Sequence, residues 1–451
     1  MNLFTFNKNN RTKLPDKPAN ELPDKPAKNL NKFSKTISQF SPSILQFSQR
    51  EIDFKTAIEN YLITNPTKPV YSFLFWKGRV ALYAILKGLG IGVGDEVILP
   101  AFTCVVVANP IIYLGAKPIY VDISPVDFNI DPQKVIKAIT PKTKAIIAQN
   151  TFGLPPDLTS LRKIATHYNL YLIEDCAHGF GGDYQTHKNG TIADVAFFST
   201  QWNKPFSTGI GGIAVTTNPE IAHRLNKIEE KALFPTFKEE LMLKLLLFIR
   251  EKVVTPSLYW RILKLYRFLS YHNLILGSSQ GYELETPTMP ADFLKKMGKS
   301  QIEKGIKYFQ KKDGIYLIDR IISHRKEVAS RFKEILKQLE LPLPMEYPER
   351  EHTYLKFPLL VKNRSLFFQL AEQEKIELGD WFLSPIHPIV KDFKKWYYNY
   401  GTNPVGETIS KQIVNLPTHL KIDQREIDKI EKFLLKHRAL LIGGRGTPLV
   451  K

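Results

Sequence analysis

One lysine, Lys204, lies among aromatic and small residues in the stretch FFSTQWNKPFSTGIGGIAV. Trp202 and Phe206 flank it, and apolar surroundings lower the pKa of a lysine because they solvate its charged form poorly. A neutral amine can attack an aldehyde or ketone and form a Schiff base. A lysine whose charged end reaches solvent past its apolar neighbours fits the same pattern. The stretch therefore predicts either a catalytic lysine or a surface lysine.

Polar groups near Lys204 and farther upstream are suited to bind a phosphate. Ser199 and Asn203 offer a hydroxyl and an amide donor. A second phosphate position is predicted at Gly78 and Arg79, in WKGRVAL, where a helix should begin. The free N–H groups at a helix start bind anions, and the Arg79 side chain can add a charge-assisted contact. A simple glycine turn before a helix is the alternative at this position.

A carboxylate and a histidine follow a predicted apolar strand in YLIEDCAHG. Asp175 lies where this strand ends, and a buried carboxylate is costly unless a cation pairs with it. The alternative is an aspartate that caps a turn or a helix. His178, taken alone, is more typical of a hydrogen-bonded loop histidine than of a catalyst.

These groups together match the requirements of one cofactor, pyridoxal 5'-phosphate. A helix start and a serine would hold its phosphate, and an aspartate would pair with its ring nitrogen. A lysine would form the imine with its aldehyde.

Short apolar strands alternate with amphipathic helices from about residue 70 onward. The helical spacing of GRVALYAILKGLG is followed by the strand DEVILPA, and the alternation continues to the strand LYLIED. This pattern predicts an α/β fold with a mostly parallel central sheet and helices on both faces. Ligands bind such sheets beyond the carboxyl ends of the strands, which is where AQNTFG and IEDCAH lie.

We expect four regions along the chain. Residues 1–50 repeat LPDKPA and are rich in Pro, Lys and Asn, which predicts a disordered tail. Residues 51–230 are expected to form the large α/β domain. Residues 231–289 are expected to be a basic, aromatic helical insert, and residues 290–451 a smaller α+β domain.

Lys and Arg recur among Leu, Phe, Tyr and Trp in residues 231–275. Helices that pack on the main domain fit this pattern. A pair of helices that lie on an anionic membrane surface fits it as well. Both interpretations stay open from the sequence.

Composition restricts the partners and the compartment. The net charge of +19 favours anionic partners, but the absence of a recognised nucleic-acid module argues against DNA or RNA. Only two cysteines, Cys104 and Cys176, are present, which excludes a disulfide scaffold, and no Cys/His group has zinc-site spacing. Without an export signal or an apolar run of about 20 residues, we expect a cytoplasmic protein.

The order of the motifs resembles that of the DegT-type (nucleotide-sugar) aminotransferases, which are fold-type I enzymes dependent on pyridoxal phosphate. The resemblance covers residues 75–225 and, more loosely, 290–435. It is carried by GRVAL, GDEVILPAFTC, GAKPIYVDI, NIDP, TKAIIAQNTFG, LIEDCAH, FFSTQWNK and GIGGIAVTTN.

The resemblance implies roles for three of the candidate residues. Lys204 would be the lysine that binds the cofactor covalently and later moves a proton. Asp175 would hold the protonated ring nitrogen. His178 occupies a position, often Gln in the family, near the phenolic oxygen of the cofactor.

The phosphate would be held by Ser199 and by the backbone at Gly78 and Arg79. Cys104 stands where many members carry an aromatic residue that stacks on the cofactor ring. The segment 231–275 replaces the region in which members supply an asparagine to the phosphate site of the partner subunit.

The resemblance implies a homodimer with active sites at the subunit interface. The implied reaction moves an amino group from an amino acid, with glutamate as the expected donor, to a nucleotide-linked keto sugar in glycan or secondary-metabolite biosynthesis. One alternative is a sugar dehydratase on the same scaffold, but dehydratases carry histidine in place of the lysine. Another is a regulatory protein that binds the cofactor without catalysis.

Overall fold

The computed structural model of the chain describes residues 42–254, 258–277 and 279–443. Most of the tail predicted for residues 1–50 lies outside the described residues. The first described helix begins at Pro42, before the predicted end of that tail. The chain divides into two units within this helix, between Gln49 and Arg50, and the candidate site lies in the second unit.

The strands are short, and those of the central sheet are rich in Val, Ile, Leu and Phe. In chain order they are β1 (Tyr71–Phe75), β2 (Glu96–Pro100), β3 (Thr103–Cys104), β4 (Lys117–Val121), β5 (Thr143–Gln149), β6 (Tyr171–Asp175), β7 (Asp183–Tyr184), β8 (His187–Lys188), β9 (Val195–Ser199), β10 (Gly212–Thr216), β11 (Lys311–Lys312), β12 (Ile315–Tyr316), β13 (Phe357–Leu360), β14 (Ile386–His387) and β15 (Ile413–Leu416). Strands β2 and β10 are buried along their whole length, as expected for strands covered on both faces.

Helices follow most of the strands of the central sheet. In chain order they are α1 (Pro42–Leu62), α2 (Gly78–Gly88), α3 (Val105–Tyr113), α4 (Pro132–Ala138), α5 (Leu158–His167), α6 (Pro219–Glu230), α7 (Phe237–Lys252), α8 (Tyr259–Tyr271), α9 (Gly281–Glu285), α10 (Lys299–Ile306), α11 (Leu317–Gln338), α12 (Arg364–Gln373), α13 (Pro404–Gln412) and α14 (Gln424–Lys436). The helices expected from periodicity in the first 230 residues are all present.

Seven strands form the central sheet, in the spatial order β1–β10–β9–β6–β5–β2–β4. Strand β10 is antiparallel to both of its neighbours, and the other neighbouring strands are parallel to each other. The predicted α/β architecture with a mostly parallel sheet is therefore confirmed.

The strand directions bring the candidate residues to one edge of the sheet. Strands β1, β2, β5, β6 and β9 all run in the same direction, so their carboxyl ends lie together. Asp175 and Ser199 are the last residues of β6 and β9. Helix α2 begins at Gly78, three residues after β1 ends.

A second core lies in the carboxyl-terminal part of the chain. The antiparallel pair β13–β15 packs with α11, α12 and α14 around buried residues that include Phe332, Phe357, Phe367 and Phe433. The α+β character predicted for this part is confirmed.

Two basic helices, α7 and α8, form most of the segment 231–275. Helix α7 begins with a capping box, in which Thr236 and Glu239 exchange side-chain-to-backbone hydrogen bonds. Leu243 of α7 is fully buried against Trp76 and Trp202. In the described part of the chain, no helix combines the length and apolar character that crossing a membrane requires.

Candidate active site

A cavity of about 540 Å³ opens at the carboxyl edge of the central sheet. Helices α7 and α8 and the segment 379–383 form other parts of its wall. All eight candidate residues from the sequence line this cavity: Gly78, Arg79, Cys104, Asp175, His178, Ser199, Asn203 and Lys204. The structure thus brings together groups that are up to 126 positions apart, from Gly78 to Lys204.

Lys204 is half-buried in the cavity wall, in the turn that follows β9. The pKa of Lys204 is lowered to about 8, chiefly by burial and to a smaller extent by the positive charge of Lys356, while the charges of Asp175 and Cys104 oppose the shift. The Lys204 Nζ atom lies 4.3 Å from the ring centroid of Trp381. A substantial fraction of this amine is therefore neutral near physiological pH, as a nucleophile requires.

Asp175 is buried at the end of β6. Its Oδ1 atom accepts a hydrogen bond of 2.9 Å from the backbone N–H of Ala177. Burial raises the pKa of Asp175 to about 6, although the hydrogen bond from Ala177 and the charge of Lys204 oppose this. A carboxylate in this environment is stabilised by a further cation, which is what a protonated ring nitrogen supplies.

His178 is buried and neutral. Burial holds the pKa of His178 well below its usual value, and the charges of Lys204 and Lys356 act in the same direction. Its Nδ1 atom accepts a hydrogen bond of 3.3 Å from the backbone N–H of Phe152, so the proton of the neutral ring resides on Nε2. The imidazole can therefore donate one hydrogen bond to an oxygen of a bound molecule.

The start of α2 has the features of a phosphate site. Its N-cap residue, Lys77, makes no side-chain hydrogen bond to the first turn. A Cβ atom on Gly78 would lie only 2.9 Å from the Cβ atom of Ser199, so glycine allows the helix start and the serine to approach closely. A hydroxyl beside an uncapped helix start is suited to bind an anion.

The Arg79 side chain is held by an acidic partner. Its guanidinium forms a buried ion pair with Glu283 of α9. Burial acts to raise the pKa of Glu283, but the charges of Arg79 and Lys77, together with hydrogen bonds from Gln280 and Arg79, outweigh it and lower this pKa. The positive charge of Arg79 is thus already compensated, so the structure favours its backbone, rather than its guanidinium, as the phosphate contact.

Asn203 and Cys104 lie on the cavity wall in different settings. Asn203 is exposed, and its Oδ1 atom accepts a hydrogen bond of 3.2 Å from Arg250 of α7. Cys104 immediately precedes α3. It lies in β3, directly opposite His387 of the neighbouring parallel strand β14. Burial raises the pKa of the Cys104 thiol, which favours its neutral form. The thiol has no ring to stack on a cofactor.

An aromatic ring that the sequence did not assign to the site lies on the same cavity wall. The Trp381 ring is parallel to that of His178, with 4.9 Å between centroids and 4° between planes. Trp381 belongs to the segment GDWFLSPIHPI, whose aromatic and histidine content was visible in the sequence. Nothing in that segment indicated which ring would reach Lys204.

Two further lysines of the cavity were also missed. Lys356 is 7% exposed, and its Nζ atom lies 6.0 Å from the Trp381 ring centroid. Across residues 42–254, 258–277 and 279–443, no hydrogen bond or ion pair of the Lys356 side-chain amine is found. Burial lowers the pKa of Lys356 and also that of Lys77, the latter to about 8. The sequence feature that could have pointed to a buried Lys356 is its position directly before the apolar strand residues FPLLV.

The chain is similar to known aminotransferases along much of its length. The model of the DegT/DnrJ/EryC1/StrS aminotransferase family matches residues 65–240 and 315–434. The UDP-2-acetamido-2-deoxy-3-oxo-D-glucuronate aminotransferase of Pseudomonas aeruginosa is 41% identical over 353 residues, which cover 78% of this chain and 81% of that protein.

Two further similarities are more limited: one covers a shorter stretch, and one shows the fold alone. The L-glutamine:2-deoxy-scyllo-inosose aminotransferase of Streptomyces kanamyceticus is 40% identical over 151 residues, which cover 34% of this chain and 35% of that protein. The crystal structure of NtdA from Bacillus subtilis, solved with its cofactor PMP, has a TM-score of 0.64 at 22% identity. That match covers 90% of this chain and 80% of NtdA.

Proposed function

Because the chain belongs to the DegT/DnrJ/EryC1/StrS aminotransferase family, we propose that it is a pyridoxal-phosphate-dependent aminotransferase that aminates a nucleotide-linked keto sugar. The observation that carries the proposal is the meeting of Lys204, Asp175 and the start of α2 on one cavity wall. In the proposal the enzyme is a homodimer, and an amino acid, with glutamate as the first to test, is the donor.

The residues present fit the cofactor. Asp175 supplies a buried carboxylate for a ring nitrogen, and Ser199 with the backbone at Gly78 supplies donors for a phosphate. His178 offers its Nε2 proton to an oxygen substituent. When bound, pyridoxal phosphate carries the amino group between the two substrates and delocalises the electron pair of the broken carbon–hydrogen bond.

Lys204 has two roles in this proposal. Its neutral amine binds the cofactor covalently in the resting enzyme. Once the donor has displaced it, the Nζ atom takes the proton from the α-carbon of the donor as a general base, and it returns a proton as a general acid. A pKa of about 8 suits both directions, since the amine and the ammonium forms are both populated near neutral pH.

Asp175 and His178 position and polarise the cofactor. The Asp175 carboxylate would hold the ring nitrogen in its protonated form, and Asp175 would remain ionised in this pair. The backbone N–H of Ala177 fixes one carboxylate oxygen. The hydrogen bond from Phe152 fixes the His178 ring in the orientation that presents Nε2.

Cations in the cavity support an anionic substrate. Lys77 and Lys356 line the wall in addition to Lys204. Arg250 also lines it and is anchored to the Asn203 side chain. Nucleotide-linked sugars carry a diphosphate, and amino acid donors carry carboxylates, so an excess of cations favours both substrates.

The proposal is tested by visible absorption spectra of the purified protein with and without glutamate. We expect a band of lysine-bound cofactor that glutamate converts to the pyridoxamine form. Lys204→Ala should lack this band, whereas Lys432→Ala, at an exposed position of α14, should keep it. An unchanged spectrum with every amino acid tested would instead support a regulatory protein. Full activity of Lys204→Ala would refute the assignment of the lysine.

A further inference from the structure

Helix α7 is apolar on two opposite sides. Its inner side carries Leu243, which is fully buried, and Leu246 and Leu247 pack into the same cluster with Trp76 and Trp202. A helix of a water-soluble domain normally turns charged residues away from such a packed side. Helix α7 instead repeats apolar residues on its far side.

The far side of α7 carries an exposed apolar stripe. Phe237, Leu241, Leu245 and Phe248 are 80%, 55%, 53% and 60% exposed. With 100° of rotation per residue, all four lie within about 60° of the direction opposite to Leu243. The stripe runs about 16 Å along the helix, at a rise of about 1.5 Å per residue.

Lysines flank this stripe. Lys238, Lys244 and Lys252 are exposed, and helical rotation places them beside or between the four apolar residues. Among the residues that the structure describes, no ion pair of these lysines is found, although the charge of Lys252 interacts with that of Glu251. We call the four apolar residues and these three lysines the outer face of α7.

The acidic residues of α7 are bound by other parts of the protein. Glu239 pairs with Lys295, the Glu240 carboxylate accepts a 2.6 Å hydrogen bond from Ser300, and Glu251 pairs with Lys304. The outer face is therefore apolar and cationic, and Glu251, whose charge interacts with that of Lys252, is already paired with Lys304.

Helix α8 also exposes apolar residues next to a basic one. Its Leu265 and Phe268 are 57% and 58% exposed, and Arg261 is exposed beside them. Its opposite side is anchored to the carboxyl-terminal core, since the Trp260 Nε1 atom donates a 3.2 Å hydrogen bond to the Ile376 carbonyl.

We propose that the outer face of α7 binds the surface of an anionic lipid bilayer, with the helix lying in the plane of the interface. Phe237, Leu241, Leu245 and Phe248 would enter the boundary between head groups and acyl chains. Lys238, Lys244 and Lys252 would pair with anionic head groups. Aromatic and leucine residues on one side with lysines along the edges are the composition of such interfacial helices.

Charge favours a lipid surface over a second copy of the chain. A twofold interface places the same patch of both subunits together, so an interface centred on the outer face would bring its lysines against each other. An anionic bilayer supplies the missing negative charge. The face lies largely in residues 241–314, between the two segments that the family model matches, so the proposal stands apart from the enzymatic one.

Flotation of the full chain with lipid vesicles tests the proposal. Vesicles of phosphatidylcholine with about 30% phosphatidylserine should carry the protein, and pure phosphatidylcholine vesicles should carry much less. Lys238→Gln/Lys244→Gln/Lys252→Gln should lower the partition coefficient about a hundredfold, at about fivefold per lysine. Leu241→Gln/Phe248→Gln should lower it even at low ionic strength.

Two matched controls separate the outer face from general effects. Lys137→Gln/Lys142→Gln/Lys144→Gln removes the same charge from exposed positions of the α/β part and should leave most binding intact. Val93→Gln/Leu420→Gln removes other exposed apolar side chains and should do the same. Equal losses in test and control variants, or no vesicle binding by the unaltered chain, would overturn the proposal. A change from dimer to monomer in Leu241→Gln/Phe248→Gln, by light scattering, would also overturn it in favour of a second copy.

Discussion

The Nζ atom of Lys204 lies 4.3 Å from the ring centroid of Trp381. The same Trp381 ring is stacked parallel to the His178 imidazole, with 4.9 Å between the two ring centroids. Two groups from the turns that follow β6 and β9 therefore meet one ring from the carboxyl-terminal part of the chain. Cys104 leaves the cavity without the aromatic residue that many family members carry at its position. We propose Trp381 as the ring that stacks on the cofactor.

Replacing Trp381 should weaken retention of the cofactor. We expect Trp381→Leu to raise the dissociation constant of pyridoxal phosphate about three- to tenfold, since an aromatic pair contributes about 0.5–1.5 kcal/mol beyond its buried area. Trp381→Phe keeps a ring and should recover most of the affinity. The constants are measured by titrating cofactor-free protein and following absorbance. Equal constants for the leucine and phenylalanine variants would contradict stacking.

Covalent attachment of the cofactor should accelerate with pH. Only the neutral form of Lys204 attacks the aldehyde, and its pKa of about 8 means that this form increases as pH rises towards 8. We expect the attachment rate to rise about tenfold per pH unit well below this value and to level off above it. Stopped-flow absorbance after mixing with pyridoxal phosphate gives the rate. A rate that still climbs tenfold between pH 9 and 10, values well above about 8, would place the lysine in water-like surroundings.

Alanine at Gly78 should damage the phosphate site, whereas alanine at Gly88 of the same helix should not. The new Cβ atom at Gly78 would meet the Ser199 Cβ atom at 2.9 Å, but at Gly88 the nearest atom, in Leu225, is 3.5 Å away. We expect Gly78→Ala to lower the free energy of unfolding by about 1–3 kcal/mol and to weaken cofactor binding. Denaturant unfolding and cofactor titration measure the two effects. If both alanine variants bind the cofactor equally well, the close approach of Gly78 and Ser199 is not needed.

Removing the Lys356 charge should impair substrate binding more than turnover. Lys356 is an almost fully buried amine on the cavity wall, and burying a charge is costly unless a partner compensates it. We expect Lys356→Met to raise KM about tenfold for the substrate whose anion it contacts, with little change in kcat. Kinetics of the separate donor and acceptor half-reactions show which substrate this is. Lys432→Met is the exposed control, and an unchanged KM for both substrates would exclude the contact.

The fold and half of the site could be read from local sequence patterns. The alternation of strands and helices predicted that the strands run parallel to each other. Asp175 and Ser199, at the ends of two of these strands, were therefore expected at one edge of the sheet. Lys204 was visible because its neighbours are aromatic. Each of these residues lies at the end of a short apolar strand or a few positions after it, so the strand pattern alone locates it.

The rest of the site depends on contacts that no local pattern encodes. Trp381 reaches Lys204 across 177 positions of the chain, the difference between 381 and 204. Lys356 comes from a strand segment of the second core, where a lysine before apolar residues more often faces solvent. The partner of Arg79 was equally hidden, because Glu283 lies in a segment that had been interpreted only by its composition.

Because Glu283 forms an ion pair with Arg79, deleting the segment 231–289 would disturb the domain that remains. Cutting it out would leave a buried guanidinium without a counter-ion in the first turn of α2, and an unpaired buried charge destabilises a protein by about 3–5 kcal/mol. A shortened chain would then be destabilised at the proposed phosphate site for electrostatic reasons unrelated to lipids. Transplanting the segment into another scaffold would require moving both members of the pair, or exchanging both for apolar side chains of matching volume.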